Sequence, residues 1–174
     1  LISNLCYSQT SEVVGSNVFG YRLGSTVEGT YNVIRTDEDG KVVAYKQRNI
    51  EHKTFSILGD FKKATLFGQN LFNKGGKYIT IVEGELDALS LYQTVKKPVV
   101  SVQSASSAVR DCSVCRSELN SYERIYLAFD NDAAGREALR QVASLFDYNK
   151  LYHVKFTKHK DANEYVCAGE GYDL

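Results

Sequence analysis

Methionine and tryptophan are absent from this 174-residue chain, proline occurs once, and the net charge is zero, with 21 Lys and Arg against 21 Asp and Glu. The missing methionine, position 1 included, reads as a piece excised from a longer chain. No apolar run reaches the roughly 18 residues that a membrane-spanning helix needs, so no membrane partner is expected. One proline and 13 glycines exclude collagen-like and Pro-rich classes. The balanced charge excludes a global basic field, so any contact with nucleic acid has to rely on local patches. Four cysteines (Cys6, Cys112, Cys115, Cys167) are too few and too unevenly placed for a secreted disulfide scaffold, and no signal peptide is visible. The default is a reducing, cytoplasmic setting. What is present is 43% apolar and 24% charged sequence, enough for one globular domain or two small ones. A chain of this length buries about 70% of its unfolded surface, so ordinary packing suffices without a structural metal.

The first 30 residues are polar and punctuated by Gly and Ser, with weak strand signals around Val13 to Arg22. Tyr31 to Arg35 and Lys41 to Arg48 then read as two strands joined by Asp37-Glu38-Asp39-Gly40, with Thr54 to Leu58 as a third. Gly68 to Gly76 is the expected junction. Beyond it, apolar runs alternate with helical periodicity, the pattern of parallel βαβ units. Strands are expected at Lys77 to Val82, Val99 to Val102, Ile125 to Phe129 and Leu151 to Phe156. Helices are expected at Glu85 to Val95, Ser106 to Leu119 and Ala133 to Phe146. The continuous apolar run Ile125 to Phe129 suits a strand covered on both faces, and the alternating last strand suits an edge. The fold class is therefore α/β, a parallel sheet flanked by helices and preceded by a small antiparallel β subdomain. The division falls at residues 1–70 and 71–174.

In an open parallel sheet, ligands collect beyond the carboxyl ends of the strands. One expected strand ends in Val82-Glu83-Gly84-Glu85, with Asp87 in the next turn, and another in Phe129-Asp130-Asn131-Asp132. If the two strands are neighbours, Glu83, Asp130 and Asp132 converge. Crowded carboxylates stay ionised only around a cation, and hard oxygen donors with open positions suit Mg²⁺ or Mn²⁺ better than zinc. Such a cluster serves phosphoryl transfer. Taken singly, each acid is as well explained as a helix cap, Asp132 above all. Between Lys41 and Lys63, six basic residues face Glu51 and Asp60, a local excess able to hold a polyanion. Lys150, Lys155, Lys158, His159 and Lys160 form a second basic run. Cys112 and Cys115 have Cys-x-x-Cys spacing but fall on the buried stripe of a helix, so no zinc site is expected.

Ile81-Val82-Glu83-Gly84-Glu85-Leu86-Asp87-Ala88, with Phe129-Asp130-Asn131-Asp132-Ala133-Ala134-Gly135-Arg136 about 45 residues later, resembles the Toprim domain. Leu66 to Leu71, Gly75-Gly76-Lys77 and Lys160-Asp161-Ala162-Asn163-Glu164 narrow the resemblance to the RNA-polymerase part of phage primase-helicases and their organellar, Twinkle-like relatives. It extends from Tyr31 to Glu164. It implies a DNA-dependent primase, a nucleotidyltransferase making short RNA from ribonucleoside triphosphates on single-stranded DNA, with Mg²⁺ or Mn²⁺. Its setting would be an infected bacterial cytoplasm, or alternatively a mitochondrion or plastid.

By the same resemblance, Glu83 is general base or metal ligand, Asp130 and Asp132 are the metal pair, and Asp87 and Asp161 are further ligands of that face. Lys46, Arg48, Lys53, Ser104 and Lys160 would contact nucleotide or template. The sequence departs from the family pattern in two places. Ser101 to Ser107 replaces a glycine-rich loop, and Ala133-Ala134 replaces an acid found in some relatives. No zinc-binding template-recognition module and no helicase phosphate loop are visible, so both are expected elsewhere in a full-length protein. Two rivals stand: a Toprim nuclease or topoisomerase-like enzyme, which for a topoisomerase requires a nucleophilic tyrosine, and a non-catalytic single-stranded-DNA-binding module.

Overall fold

The computed structural model describes residues 17–18, 21–24, 30–49, 51–52 and 54–173. Five antiparallel strands form one sheet in sequential order: β1 (Asn17–Val18), β2 (Tyr21–Gly24), β3 (Thr30–Thr36), β4 (Val42–Asn49) and β5 (Phe55–Gly59). The β3–β4 turn closes as expected. Gly40 takes φ of 77°, and the Asp37 carboxylate accepts from the backbone N–H groups of Asp39 and Lys41 at 3.1 and 2.9 Å. Register places Arg35 opposite Ala44, Val33 opposite Lys46 and Tyr31 opposite Arg48, so these six side chains share one face.

A second sheet is wholly parallel, with β6 (Gly76–Val82) and β8 (Tyr122–Ala128) at its centre and β7 (Val99–Ser101) and β9 (Leu151–His153) at its edges. Helices α1 (Glu85–Val95), α2 (Ala108–Val114), α3 (Arg116–Leu119), α4 (Ala133–Ala143) and α5 (Ala162–Cys167) connect and cover it. Period-two alternation sends Ile79, Ile81, Ile125 and Leu127 into a core with α2 and α4, while Val82 and Ala128 meet α1 and α5 on the other face. Val33 of β3 and Phe67 enter that second core, joining the antiparallel sheet to the parallel one through shared apolar burial. Tyr78, Tyr126 and Tyr152 lie side by side across β6, β8 and β9, the last two stacked with centroids 5.0 Å apart. Among the described residues no helix is long and apolar enough to cross a membrane.

Three expected elements differ in detail. The helix over Ser106 to Leu119 is interrupted: a 3₁₀ turn covers Ala105–Ser107, and Cys115, with ψ of 8°, separates α2 from α3. Its apolar stripe is nonetheless buried, with Ala108, Cys112, Cys115 and Leu119 all in the core. Helix α4 stops at Ala143, and the chain continues through tight turns from Ser144 to Phe146, which keep Phe146 buried. Strand β9 ends at His153, with the Val154 N–H still donating to the Leu127 carbonyl at 2.9 Å, and beyond it the Asn131 side chain in the loop after β8 donates to the Phe156 carbonyl at 3.0 Å. Within the expected junction, Gly68 to Gly76, a 3₁₀ turn covers Gln69–Leu71 and the Asn73 carbonyl accepts from the Tyr122 hydroxyl at 2.8 Å; just before it, Phe67 bridges Ser101 at the end of β7.

Candidate active site

Strands β6 and β8 are hydrogen-bonded neighbours with Val82 opposite Ala128, so the loops that carry Glu83 and Asp130 leave the sheet side by side. Gly135 makes the second loop possible. A Cβ at that position would lie 2.2 Å from the Asp130 carbonyl oxygen, a separation no side chain tolerates, so the first turn of α4 presses directly against the Asp130 backbone. Asp132 caps α4, accepting from the Gly135 N–H at 2.8 Å, and that bond is the main reason its carboxyl is held below the usual range. The capping role and the cluster role coexist in one side chain.

The acids occupy distinct electrostatic environments. Burial, reinforced by the negative charges of Asp130 and Asp132, pushes the Glu83 carboxyl up to about 7, with Lys160 and the Ala105 backbone N–H opposing the rise. Its Oε2 atom is buried without a hydrogen-bond partner. Asp130 is also raised by burial, against the pull of Lys160. The Lys160 ammonium lies 2.8 Å from Asp130 Oδ2 and 3.0 Å from Asp132 Oδ2, and those carboxylates raise its own pKa. Asp87 is partly buried, accepts from the Asn163 N–H at 3.0 Å and shares a side-chain hydrogen bond with Asp161, the cap of α5. Burial is the first cause of its raised pKa and the Asp161 charge the second.

The basic residues separate into two kinds. Lys46 is 4% exposed, and its three donors go to both oxygens of Glu85, each at 3.0 Å, and to the Gln103 carbonyl at 2.8 Å. Where a phosphate or template contact was expected, Lys46 occupies an internal ion pair. Arg48, two residues on and on the same face, makes no ion pair within the described residues and is partly exposed. Lys160 stands at the mouth of the acidic cluster with 44% of its side chain exposed. Ser104 bonds the hydroxyls of Ser106 and Ser107 at 3.0 and 3.2 Å. Lys53 lies outside the described residues.

Three residues escaped the sequence reading. Arg35, 1% exposed, reaches Glu85 Oε1 at 3.4 Å and the Thr65 carbonyl at 2.8 Å, with Phe61 and Phe67 flanking its guanidinium. Glu85 itself, the second acid of the Glu-Gly-Glu motif, faces away from the cluster toward β3 and β4. Asp111 ties the serine loop down, accepting from the Gln103 N–H and the Ser107 hydroxyl at 3.0 and 2.9 Å. An acid in the first turn of each helix was the available signal, but only burial distinguishes these two from surface charge.

Among the described residues no three carboxylate, histidine or cysteine groups converge closely enough, as they stand, to enclose a metal ion. The donor chemistry nevertheless fits a hard divalent cation. A positive group already sits between Asp130 and Asp132, and the buried, unpartnered Glu83 oxygen beside them lacks only a donor or cation to satisfy it.

Comparison with known proteins agrees with this architecture. The family described as Toprim-like matches residues 80–166. The chain is 37% identical over 155 residues to the DNA helicase/primase of Enterobacteria phage T3, spanning 87% of this chain but only 27% of that protein. It superposes on the primase fragment of the bacteriophage T7 primase-helicase with a TM-score of 0.76 at 34% identity, covering 87% of this chain and 63% of the fragment. A chain from the complex of the T7 lagging-strand DNA polymerase with primase domains of two gp4 subunits, bound to an RNA/DNA hybrid and dTTP, matches with a TM-score of 0.75 at 33% identity, covering 87% of this chain and 78% of that one. The Aquifex aeolicus primase, zinc-binding and RNA polymerase domains, shares the fold at a TM-score of 0.65 and 21% identity, over 87% of this chain and 42% of that one. With adjacent strand ends carrying Glu83 and the Asp130-Asn131-Asp132 run on this sheet, the chain belongs to the Toprim-like family, of the kind found in the primase part of phage primase-helicases.

Proposed function

We propose that this chain is the RNA-synthesising part of a DNA primase, joining ribonucleoside triphosphates into short primers on single-stranded DNA. The observation that carries this reading is that β6 and β8 pair side by side, so that the loops bearing Glu83 and the Asp130-Asn131-Asp132 run leave adjacent strand ends, in a chain alike in fold and sequence to the T7 primase fragment. A bound Mg²⁺ or Mn²⁺ supplies charge neutralisation at the α-phosphate and lowers the pKa of the attacking 3′-hydroxyl. Asp130 and Asp132 hold that cation, with Asp87 and Asp161 behind them. Glu83, poised near neutrality, accepts the proton of the 3′-hydroxyl. Arg48, with Lys53 on the same chain segment, steers template and triphosphate, while Lys160 and Ser104 face the nucleotide phosphates. Lys46 acts indirectly, by fixing the antiparallel sheet against α1.

The division at residues 1–70 and 71–174 separates the part of the sequence that carries the Lys41 to Lys63 basic run from the part that carries the acidic, metal-holding residues. In the longer protein a helicase domain and a zinc-binding template reader would complete the activity, in the cytoplasm of an infected cell. The test supplies labelled ribonucleotides, Mg²⁺ or Mn²⁺ and single-stranded DNA annealed to a diribonucleotide, which removes the need for template recognition. Extended oligoribonucleotides support the primase. Shortened DNA points to the nuclease, and retarded but unaltered DNA to a binding module.

A further inference from the structure

We propose that the Lys160 ammonium is the built-in counterion of the Asp130–Asp132 pair, and that a divalent cation enters only by displacing it. The inference rests on the reading of these two aspartates as the cation site. The Lys160 Nζ bridges one oxygen of each carboxylate, at 2.8 and 3.0 Å. Those are hydrogen-bond separations, whereas Mg²⁺ draws its oxygens in to about 2.0–2.1 Å. A divalent cation drawing on these two oxygens and the ammonium cannot both lie between them, so one excludes the other.

The backbone around Lys160 is fixed while its side chain is free to leave. The Asn131 N–H, between the two aspartates in sequence, donates to the Lys160 carbonyl at 2.8 Å, and the Lys160 N–H donates to Glu164 Oε2 at 2.9 Å. These bonds keep the lysine in register with the pair it bridges. The side chain, 44% exposed, has room to swing outward without crossing a packed core. A lysine ammonium is protonated in water at neutral pH, so it departs as a cation and leaves a mobile positive charge at the rim where a triphosphate would arrive. Other groups facing the ammonium or its partners are Glu83, Asp161 and, from the neighbouring strand-end loop, the Ala105 N–H.

The test measures Mn²⁺ affinity of the 174-residue chain by electron paramagnetic resonance and calorimetry, for wild type, Lys160→Met, Lys160→Gln, Lys158→Met and Asp130→Asn. Lys158 pairs with Glu170 and Asp173, so its loss changes the net charge equally without touching the aspartates. Displacement predicts that Lys160→Met and Lys160→Gln bind Mn²⁺ about three- to fivefold tighter than wild type, the upper scale of one partly exposed ion pair, while Lys158→Met changes affinity less than about 1.5-fold. Equal tightening by Lys158→Met and Lys160→Met overturns the proposal in favour of general charge repulsion. Unchanged or weaker binding by both Lys160 variants also overturns it, and leaves the site reading intact if Asp130→Asn still abolishes binding. If Asp130→Asn binds Mn²⁺ as wild type does, the reading of the aspartates as the cation site fails, and displacement fails with it.

Discussion

Lys46 Nζ sits 3.0 Å from both carboxylate oxygens of Glu85, and this buried pair crosses from the antiparallel sheet to the first turn of α1. Arg35 joins it from β3, so one carboxylate anchors two strands of one sheet to the helix that follows Glu83. Charges taken from water in this way are a weak source of net stability, but removing one member leaves the others stranded. Their value here is orientation, because the same helix begins two residues after the proposed base.

Replacing Glu85 with Gln should therefore cost about 3–5 kcal/mol, the range for breaking a buried pair and leaving an uncompensated charge. Urea unfolding of wild type and variant checks this. A loss below about 1 kcal/mol would mean that Lys46 and Arg35 find other partners or water.

Gly135→Ala places a methyl group where 2.2 Å separates it from the Asp130 carbonyl. Alanine is otherwise the better helix residue, so a gain of up to about 1 kcal/mol would follow from propensity alone. The close approach reverses the sign: overpacking predicts a loss of about 1–3 kcal/mol together with weaker Mn²⁺ binding, as the Asp130 loop is pushed from α4. Thermal unfolding and metal titration of the same variant give both numbers.

Glu83 makes stability fall as pH rises. Its carboxyl stands at about 7 in the folded chain against an ordinary 4.5, so between those values the folded protein keeps a proton that the unfolded chain has released. The destabilisation is absent below pH 4.5 and complete above about 7. Without metal, the wild type should lose stability from about pH 5 to about pH 8 relative to Glu83→Gln, which has no such proton to lose. Denaturant midpoints for both proteins across that range, in chelator, test the direction.

Asp130→Ala should weaken Mn²⁺ binding by more than about tenfold while the fold survives. Among the described residues its side chain pairs with a partly exposed lysine, a contact worth about 1 kcal/mol or less, and its removal relieves repulsion on Glu83 and Asp132. Calorimetric titration beside circular dichroism separates the two effects.

Asp87→Asn should be nearly neutral for stability, within about 1 kcal/mol. The amide accepts from the Asn163 N–H through its oxygen and donates to Asp161 through its nitrogen. Asp87→Ala should instead cost about 1–3 kcal/mol, since it removes both of these side-chain hydrogen bonds. Urea unfolding of the two variants side by side measures the contrast.

The order of strands and helices from Tyr31 onward, and the acids at two strand ends, were legible because they are local in origin. Hydrophobic period separates strand from helix, Gly40 permits one turn, and a parallel sheet puts its loops at one edge. Strand pairing then carried Glu83 to Asp130 without further information. Legibility stopped where a charged residue's role depends on what lies across from it. Lys46 and Arg48 are two basic residues two positions apart on one strand face, yet Lys46 is sealed against Glu85 and Arg48 remains partly exposed. Lys160 reads as one more member of a basic run until the turn after Phe156 sets its ammonium between two aspartates. Periodicity reports which face of an element is apolar, and chain alternation alone decides that. The partner of a buried ion is chosen by groups dozens of residues distant, 39 between Lys46 and Glu85, and only the packed tertiary structure brings them within hydrogen-bond range.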